Sequence, residues 1–136
     1  MSTKRYDFSY RDTEQNFELL YVSHSLYGDD WHSKPHTHYC TELFCVVNGK
    51  GFIQVDSQQF PVRKGELFII NPHTLHTELS FAEDCLEYIV MGINGIQFCT
   101  KESNDIHLTD TTINTEHGDY CFYFNNILHE MEEKQE

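Results

Sequence analysis

The sequence predicts an all-β barrel followed by one C-terminal α-helix. Short apolar runs alternate with turn signals from Phe17 to Ile93, a pattern typical of antiparallel barrels and sandwiches. No helical period occurs before residue 115, and the stretch beyond it changes to helical spacing. With 136 residues, of which 39% are hydrophobic, the chain is long enough for one domain with a substantial core.

The elements follow in chain order. Residues 1–16 are polar with spaced aromatic side chains, and we expect an arm that either lies against the barrel or frays. Residues 17–115 are expected to form the barrel, which begins with a strand from Phe17 to Tyr27. Asn48 and Gly49 lie between two apolar runs, which favours a tight hairpin because this pair tolerates positive φ.

The last segment, residues 116–136, is predicted to contain an amphipathic helix over about 117–134. Its apolar residues recur at helical spacing: Tyr120, Phe124, Ile127, Leu128 and Met131. This stripe must cover either the chain's own barrel or the matching helix of a second copy. Because Phe122 and Tyr123 add more apolar surface than one small sheet face needs, the pattern favours a homodimer through this helix.

Charge and cysteine content restrict the partners and the location. The formal net charge of −13 argues against direct contact with nucleic acid or an anionic membrane, since both attract basic surfaces. No stretch has the length of a membrane-spanning helix. The five cysteines are odd in number and lack paired spacing, and the start of the chain does not resemble a signal peptide. These features predict free thiols and a cytoplasmic location.

A group of polar residues in the middle of the chain is the candidate site. His36, His38 and Glu42 occupy even positions, so on a strand they would share one face. The same parity continues through the apolar residues Phe44 and Val46. The three polar groups are therefore expected to face the mouth of a barrel with an apolar interior, which is the general form of a small-molecule pocket.

His76 is predicted to complete this site. It follows a turn, a buried strand and an Asn71-Pro72 loop, and barrels bring such distant strands to one wall. Four imidazole and carboxylate groups suit one divalent transition metal; alternatively, they bind each other and the hydroxyls of a polar ligand without metal. Trp31, the only tryptophan, precedes His36 and either caps the ligand or packs at the barrel rim.

These residues resemble the two cupin motifs. The matching positions are His36, His38, Glu42, Gly49, Gly65, Pro72 and His76. The sequence departs from the full pattern at Asp30, where a glycine is expected, and in the segment 72–76, which lacks the glycine of the second motif. This shortened form is more similar to the N-terminal effector-binding domain of AraC-type transcription regulators, and the similarity extends over residues 17–134.

The resemblance implies a cupin-type double-stranded β-helix, or jelly roll, with a C-terminal dimerisation helix. It also implies that a small polar effector, often a sugar, binds at the four site residues and Trp31. DNA would be bound by helix-turn-helix units, which are expected to be missing from this chain, so that it is the sensor half of a regulator. A metal-dependent cupin enzyme, a dioxygenase or isomerase with the same four residues as ligands, is the alternative. A storage or scaffold protein is a third alternative, which would bind no ligand and would not depend on these four residues.

Overall fold

The computed structural model describes six ranges of the chain: 2–7, 11–12, 17–28, 34–97, 107–108 and 119–134. These ranges contain ten strands and one helix. The elements are β1 (Ser2–Asp7), β2 (Arg11–Asp12), β3 (Phe17–Leu26), β4 (Thr41–Asn48), β5 (Lys50–Val55), β6 (Gln58–Arg63), β7 (Leu67–Ile70), β8 (His76–Ser80), β9 (Glu87–Asn94), β10 (His107–Leu108) and α1 (Asp119–Lys134). The prediction of an all-β domain with a C-terminal helix is confirmed.

Two antiparallel sheets form the barrel. The larger sheet has the order β1-β3-β9-β4-β7-β10, with β2 also paired to β3, and the smaller sheet has the order β6-β5-β8. Residues 2–7 of the predicted arm are the edge strand of the larger sheet, paired with β3 from Ser2 opposite Leu26 to Asp7 opposite Tyr21. The central strand β9 lies between β3 and β4, so that side chains from these three strands meet on one face.

The inner faces of the two sheets enclose the main core. Phe44 and Val46 of β4 pack there with Ile53 and Val55 of β5, and all four are at most 2% exposed. Period-two alternation explains their position, because residues two apart on a strand point to the same side. Cys45, between Phe44 and Val46, points to the opposite face and is also buried.

Helix α1 covers that opposite face. Phe124 and Leu128 are buried against Val22, Cys45 and Ile89 of the larger sheet. Phe124 and Leu128 of the predicted apolar stripe therefore cover the chain's own barrel, and the homodimer stays a prediction. Within the described ranges, α1 lacks the length and apolar character needed to cross a membrane.

The cysteines differ in part from the expectation of free thiols. Cys40 and Cys85 are free. Cys45 is disulfide-bonded, so the expectation is wrong at this position. Spacing along the sequence did not reveal this bond, because the partners of a disulfide are brought together by the fold and need no regular separation.

A glycine in β9 permits close packing beside the barrel interior. A Cβ atom at Gly92 would lie 2.3 Å from the ring of Tyr21, which is opposite it on β3. Any larger residue would thus displace the tyrosine.

At the predicted hairpin, Gly49 has φ +76°, the left-handed region that glycine adopts without strain.

Candidate functional site

The barrel interior contains a cavity of about 220 Å³ between the larger sheet and β8. Its lining combines carboxylates, imidazoles, phenols and hydroxyls with a few apolar side chains. The lining residues are Thr3, Arg5, Tyr21, Ser23, Ser25, Tyr27, His36, His38, Glu42, Phe44, Glu78, Tyr88 and Val90. Pockets that bind drug-sized ligands have volumes of roughly 300–1,000 Å³, so this cavity suits a smaller molecule.

His36 is held beside His76 by backbone pairing. The amide N–H of His36 donates to the carbonyl of His76 at 2.9 Å, and the amide of His76 donates back at 3.0 Å. Strand β4 begins only at Thr41, so His36 and His38 do not lie on the same strand as Glu42. The expectation that parity along one strand aligns all three is therefore corrected: the bridge to β8 positions His36.

Three imidazoles and one carboxylate converge at this point. The ligand atoms of His36, His38 and His76 all lie within 4.8 Å of one another. The Oε1 atom of Glu42 is 3.3 Å from Nε2 of His38 and 3.3 Å from Nε2 of His76. The structure thus brings together the four residues predicted from the sequence.

Backbone carbonyls fix the tautomers of two of these imidazoles. Nδ1 of His36 is 2.9 Å from the carbonyl of Lys34, and Nδ1 of His76 is 2.8 Å from that of Thr74. A carbonyl only accepts, so each Nδ1 carries a proton and, in the neutral ring, Nε2 keeps its lone pair. Among the described residues, neither Nε2 of His76 nor Oε1 of Glu42 has a hydrogen-bond partner, although both atoms are buried. Convergent lone pairs of this kind fit a divalent transition metal.

The electrostatics of the four residues are closely linked. Burial disfavours the carboxylate of Glu42, but His76, His38 and Tyr21 outweigh burial and hold its pKa below the ordinary value. Burial also disfavours the imidazolium of His76, yet Glu42 and the Thr74 carbonyl raise its pKa. For His38, burial outweighs the attraction of Glu42 and lowers the pKa. The cluster therefore favours a carboxylate at Glu42 and a neutral ring at His38.

Glu78 forms a second polar group on the cavity. The hydroxyl of Tyr27 donates to its Oε2 at 3.2 Å, and the hydroxyls of Tyr27 and Tyr88 are 2.9 Å apart. Its other oxygen, Oε1, lies 4.0 Å from Nε2 of His36. Glu78 is 4% exposed, and burial raises its pKa.

Tyr21 links the cavity wall to the edge strand. Its hydroxyl donates to Oε2 of Glu42, and the guanidinium of Arg5 lies 4.0 Å above its ring. Arg5 also pairs with Asp7 at 2.9 Å, and its side chain is 55% exposed. Strand β1 thereby contributes a cation at the rim of the cavity.

Sequence reasoning missed several of these groups. Glu78 lies two residues after His76 on β8, and this equal parity was an available signal. The inward residues of β3 and the residue just after it gave a weaker signal, an alternation of tyrosine and serine: Tyr21, Ser23, Ser25 and Tyr27. Trp31, predicted to touch the ligand, lies outside the described residues.

Comparisons with known proteins agree with this fold. The family model described as AraC-like ligand binding domain matches residues 19–136. No curated protein sequence matches the chain. Among solved structures, a cupin protein from Bacteroides fragilis has a TM-score of 0.50 at 18% identity, with 65% of this chain and 78% of that chain covered.

Two further structures show the same likeness. A cupin superfamily protein from Desulfitobacterium hafniense gives a TM-score of 0.50 at 12% identity, covering 67% of this chain and 76% of that chain. The protein YhaK from Escherichia coli gives 0.60 at 13% identity, covering 77% of this chain and 48% of that chain. At these identities the likeness concerns the fold alone, and it confirms the prediction of a cupin-type double-stranded β-helix.

Proposed function

Because the chain belongs to the family of AraC-like ligand binding domains, we propose that it senses a small polar effector inside its barrel. The single observation that carries this proposal is the cavity of about 220 Å³, partly open to solvent, in which carboxylates, imidazoles and phenols converge. Its size favours a molecule with few heavy atoms, and its polar groups favour one with several hydroxyls.

A sugar is the effector class that we propose. Sugars present hydroxyls at their edges and C–H groups on their faces, and the cavity offers partners for both. Glu42, Glu78 and the histidines provide acceptors, whereas Phe44 and Tyr88 provide aromatic surface. Their rings pack against each other with centroids 4.6 Å apart, which holds this apolar wall in place.

The first experiment is calorimetry and thermal unfolding with a panel of D-glucose, D-galactose, L-arabinose and D-xylose. A sugar that binds the folded state alone raises the unfolding midpoint. The His38→Ala variant should lose this shift, because His38 lines the cavity, while the exposed His73→Ala should retain it. If no sugar of the panel binds the wild-type protein, the sugar proposal is wrong.

A metal ion in the same cluster is a second proposal. The unpartnered buried atoms of Glu42 and His76 fit the donor set, and His36 and His38 would complete it. A bound metal would act as a Lewis acid toward a hydroxyl or carbonyl of the ligand. The protein residues would hold the ion, orient the effector and exclude water from the barrel.

Elemental analysis tests this proposal on protein purified without chelator or a metal-affinity column. One transition metal per chain is expected, and the content should fall in His36→Ala but not in His24→Ala, since His24 pairs with Glu87 outside the cluster. Metal-free wild-type protein would contradict the proposal. A metal would also be required by the alternative, a dioxygenase or isomerase; the family match favours a binding domain over that alternative.

The output of sensing is proposed to reach DNA through other domains of a bacterial transcription regulator. The net charge of −13 makes direct contact of this domain with DNA unfavourable. Helix α1 would join two copies, and a cytoplasmic location belongs to the same proposal. Sedimentation with and without the bound sugar tests the dimer, because an effector must favour one arrangement to change the output. A monomer under both conditions would contradict this part.

A further inference from the structure

The cavity contains two buried carboxylates with different surroundings. Glu42 is shared among His38, His76 and Tyr21, as described above. Glu78 lies at the edge of this cluster, with Oε1 4.0 Å from Nε2 of His36, and has a phenol as its hydrogen-bond donor. The two acids therefore have different hydrogen-bond partners on the cavity wall.

One oxygen of Glu78 remains available for a ligand. Oε2 accepts from Tyr27, whose own position is fixed by the hydroxyl of Tyr88 at 2.9 Å. Oε1 has Nε2 of His36 at 4.0 Å, which is too long for a hydrogen bond. The residue is 4% exposed and lines the cavity, so a hydroxyl or ammonium group of a ligand there can donate to this oxygen.

The charges around this oxygen favour particular ligand groups. Among the described lining residues, Arg5 is the one lysine or arginine side chain, and it already pairs with Asp7 and covers Tyr21. Where Glu78 is ionised, an anionic group beside it would meet a like charge in a region of low dielectric, which is strongly unfavourable. A hydroxyl or an ammonium group would instead satisfy the free oxygen.

We infer that Glu78 is a specificity-determining residue. Its Oε1 accepts a hydrogen bond from a hydroxyl or ammonium group of the ligand, and the carboxylate excludes ligands that would place a carboxylate or phosphate beside it. This inference rests on the proposed binding of a small polar effector in the barrel. Tyr27 positions this carboxylate through its hydroxyl, which is held in turn by the hydroxyl of Tyr88.

The test uses two matched sets of probes on the full chain. D-glucose is compared with D-glucosamine and D-glucuronate, and D-galactose with D-galactosamine and D-galacturonate, each by calorimetry. In at least one set, the neutral or amino sugar should bind the wild-type protein about tenfold or more tightly than the uronate. A uronate that binds as tightly as its parent sugar overturns the inference.

The variant Glu78→Gln separates the role of this residue from that of the cavity as a whole. It should weaken the amino sugar more than the neutral sugar, since the charge is lost, and it should strengthen the uronate. Glu66→Gln is the matched control. Glu66 is also buried, with 5% of its surface exposed, but it pairs with Arg63 outside this cavity. Unchanged selectivity in Glu78→Gln overturns the inference.

The outcomes also distinguish failure of the inference from failure of the proposed function. If none of the six probes binds the wild-type protein, this inference is wrong, and the sugar proposal is wrong as well if L-arabinose and D-xylose do not bind. If wild type binds but selectivity is unaffected by Glu78→Gln, the sugar proposal stands and the role of Glu78 is wrong. Should Glu78→Gln fail to fold, the selectivity of the wild-type protein among the probes decides the inference without the variant.

Discussion

His76 in the smaller sheet and Glu42 in the larger sheet meet across the barrel, with Nε2 of the histidine 3.3 Å from Oε1 of the glutamate. The other ring nitrogen of His76 is held by the carbonyl of Thr74 at 2.8 Å. The imidazole is thus fixed from behind and directed at the carboxylate. This pair joins the two sheets at the same place where the sequence motif concentrates its polar residues.

We expect Glu42→Ala to lower the free energy of unfolding by about 1–3 kcal/mol in the presence of chelator. The substitution leaves the hydroxyl of Tyr21 buried without its acceptor and removes the carboxylate beside His76. Glu87→Ala is the control: Glu87 pairs with His24 at 2.6 Å, but both side chains are over a fifth exposed. Its loss should cost less, about 0–1 kcal/mol. If urea unfolding shows the same loss of stability for Glu42→Ala and Glu87→Ala, the burial of Glu42 does not determine its contribution.

Three tyrosines should resist ionisation at high pH. Burial, reinforced by Glu42 at Tyr21 and by Glu78 at Tyr27 and Tyr88, raises the pKa of each phenol above its ordinary value. In the unfolded chain they release protons near pH 10, so the folded state then binds more protons. The contribution of these three phenols to the free energy of unfolding should therefore be constant below about pH 10 and fall as the pH rises further.

Tyrosinate absorbance of the folded protein measures this effect directly. Part of the absorbance change should appear only at a pH well above that seen in denatured protein. Tyr88→Phe should reduce this late step from three groups to two. Identical titration curves for folded and denatured protein would show that the three phenols are not shielded as the structure has them.

Gly92→Ala should damage the site more than Gly65→Ala. A Cβ at position 92 would meet the ring of Tyr21 at 2.3 Å, so the ring must move away from Glu42 and Arg5. At Gly65 a Cβ has nothing within 4 Å, but φ is +91°, and the strain should cost about 1–2 kcal/mol. Both variants should melt earlier than wild type, while calorimetry should show weaker sugar binding in Gly92→Ala alone. Unaltered affinity in Gly92→Ala would mean that Tyr21 does not shape the cavity.

Much of the fold and half of the site could be predicted from local pattern. Strand alternation and the change of period after residue 115 depend on neighbouring residues, so they indicated the barrel and the helix. The motif residues His36, His38, Glu42 and His76 are recognisable by spacing, and the structure brings them together.

The remaining site residues depend on which strands become neighbours. Tyr27 and Tyr88 meet because β3 pairs with β9, and Tyr21 reaches Glu42 because β9 in turn pairs with β4. A strand's sequence specifies its inward face but not the strand beside it, so these contacts are not readable from spacing. Arg5 was missed for a similar reason, since a polar terminal segment gives little sign of joining a sheet edge.

The packing of helix α1 provides the last prediction. Phe124→Ala and Leu128→Ala should each lower the free energy of unfolding by about 2–5 kcal/mol, since both side chains are buried against the larger sheet. Tyr123→Ala should have little effect, because Tyr123 is 61% exposed. If the stripe covers the chain's own barrel, the Leu128→Ala loss will be the same at low and high protein concentration. A loss that grows on dilution would instead show that a second copy contributes to covering these residues, because association is governed by mass action. Tyr123→Arg places a charge on the exposed side of the helix and distinguishes two kinds of dimer. A dimer formed through the buried stripe should keep its sedimentation coefficient in this variant, whereas a dimer formed through the exposed side should dissociate.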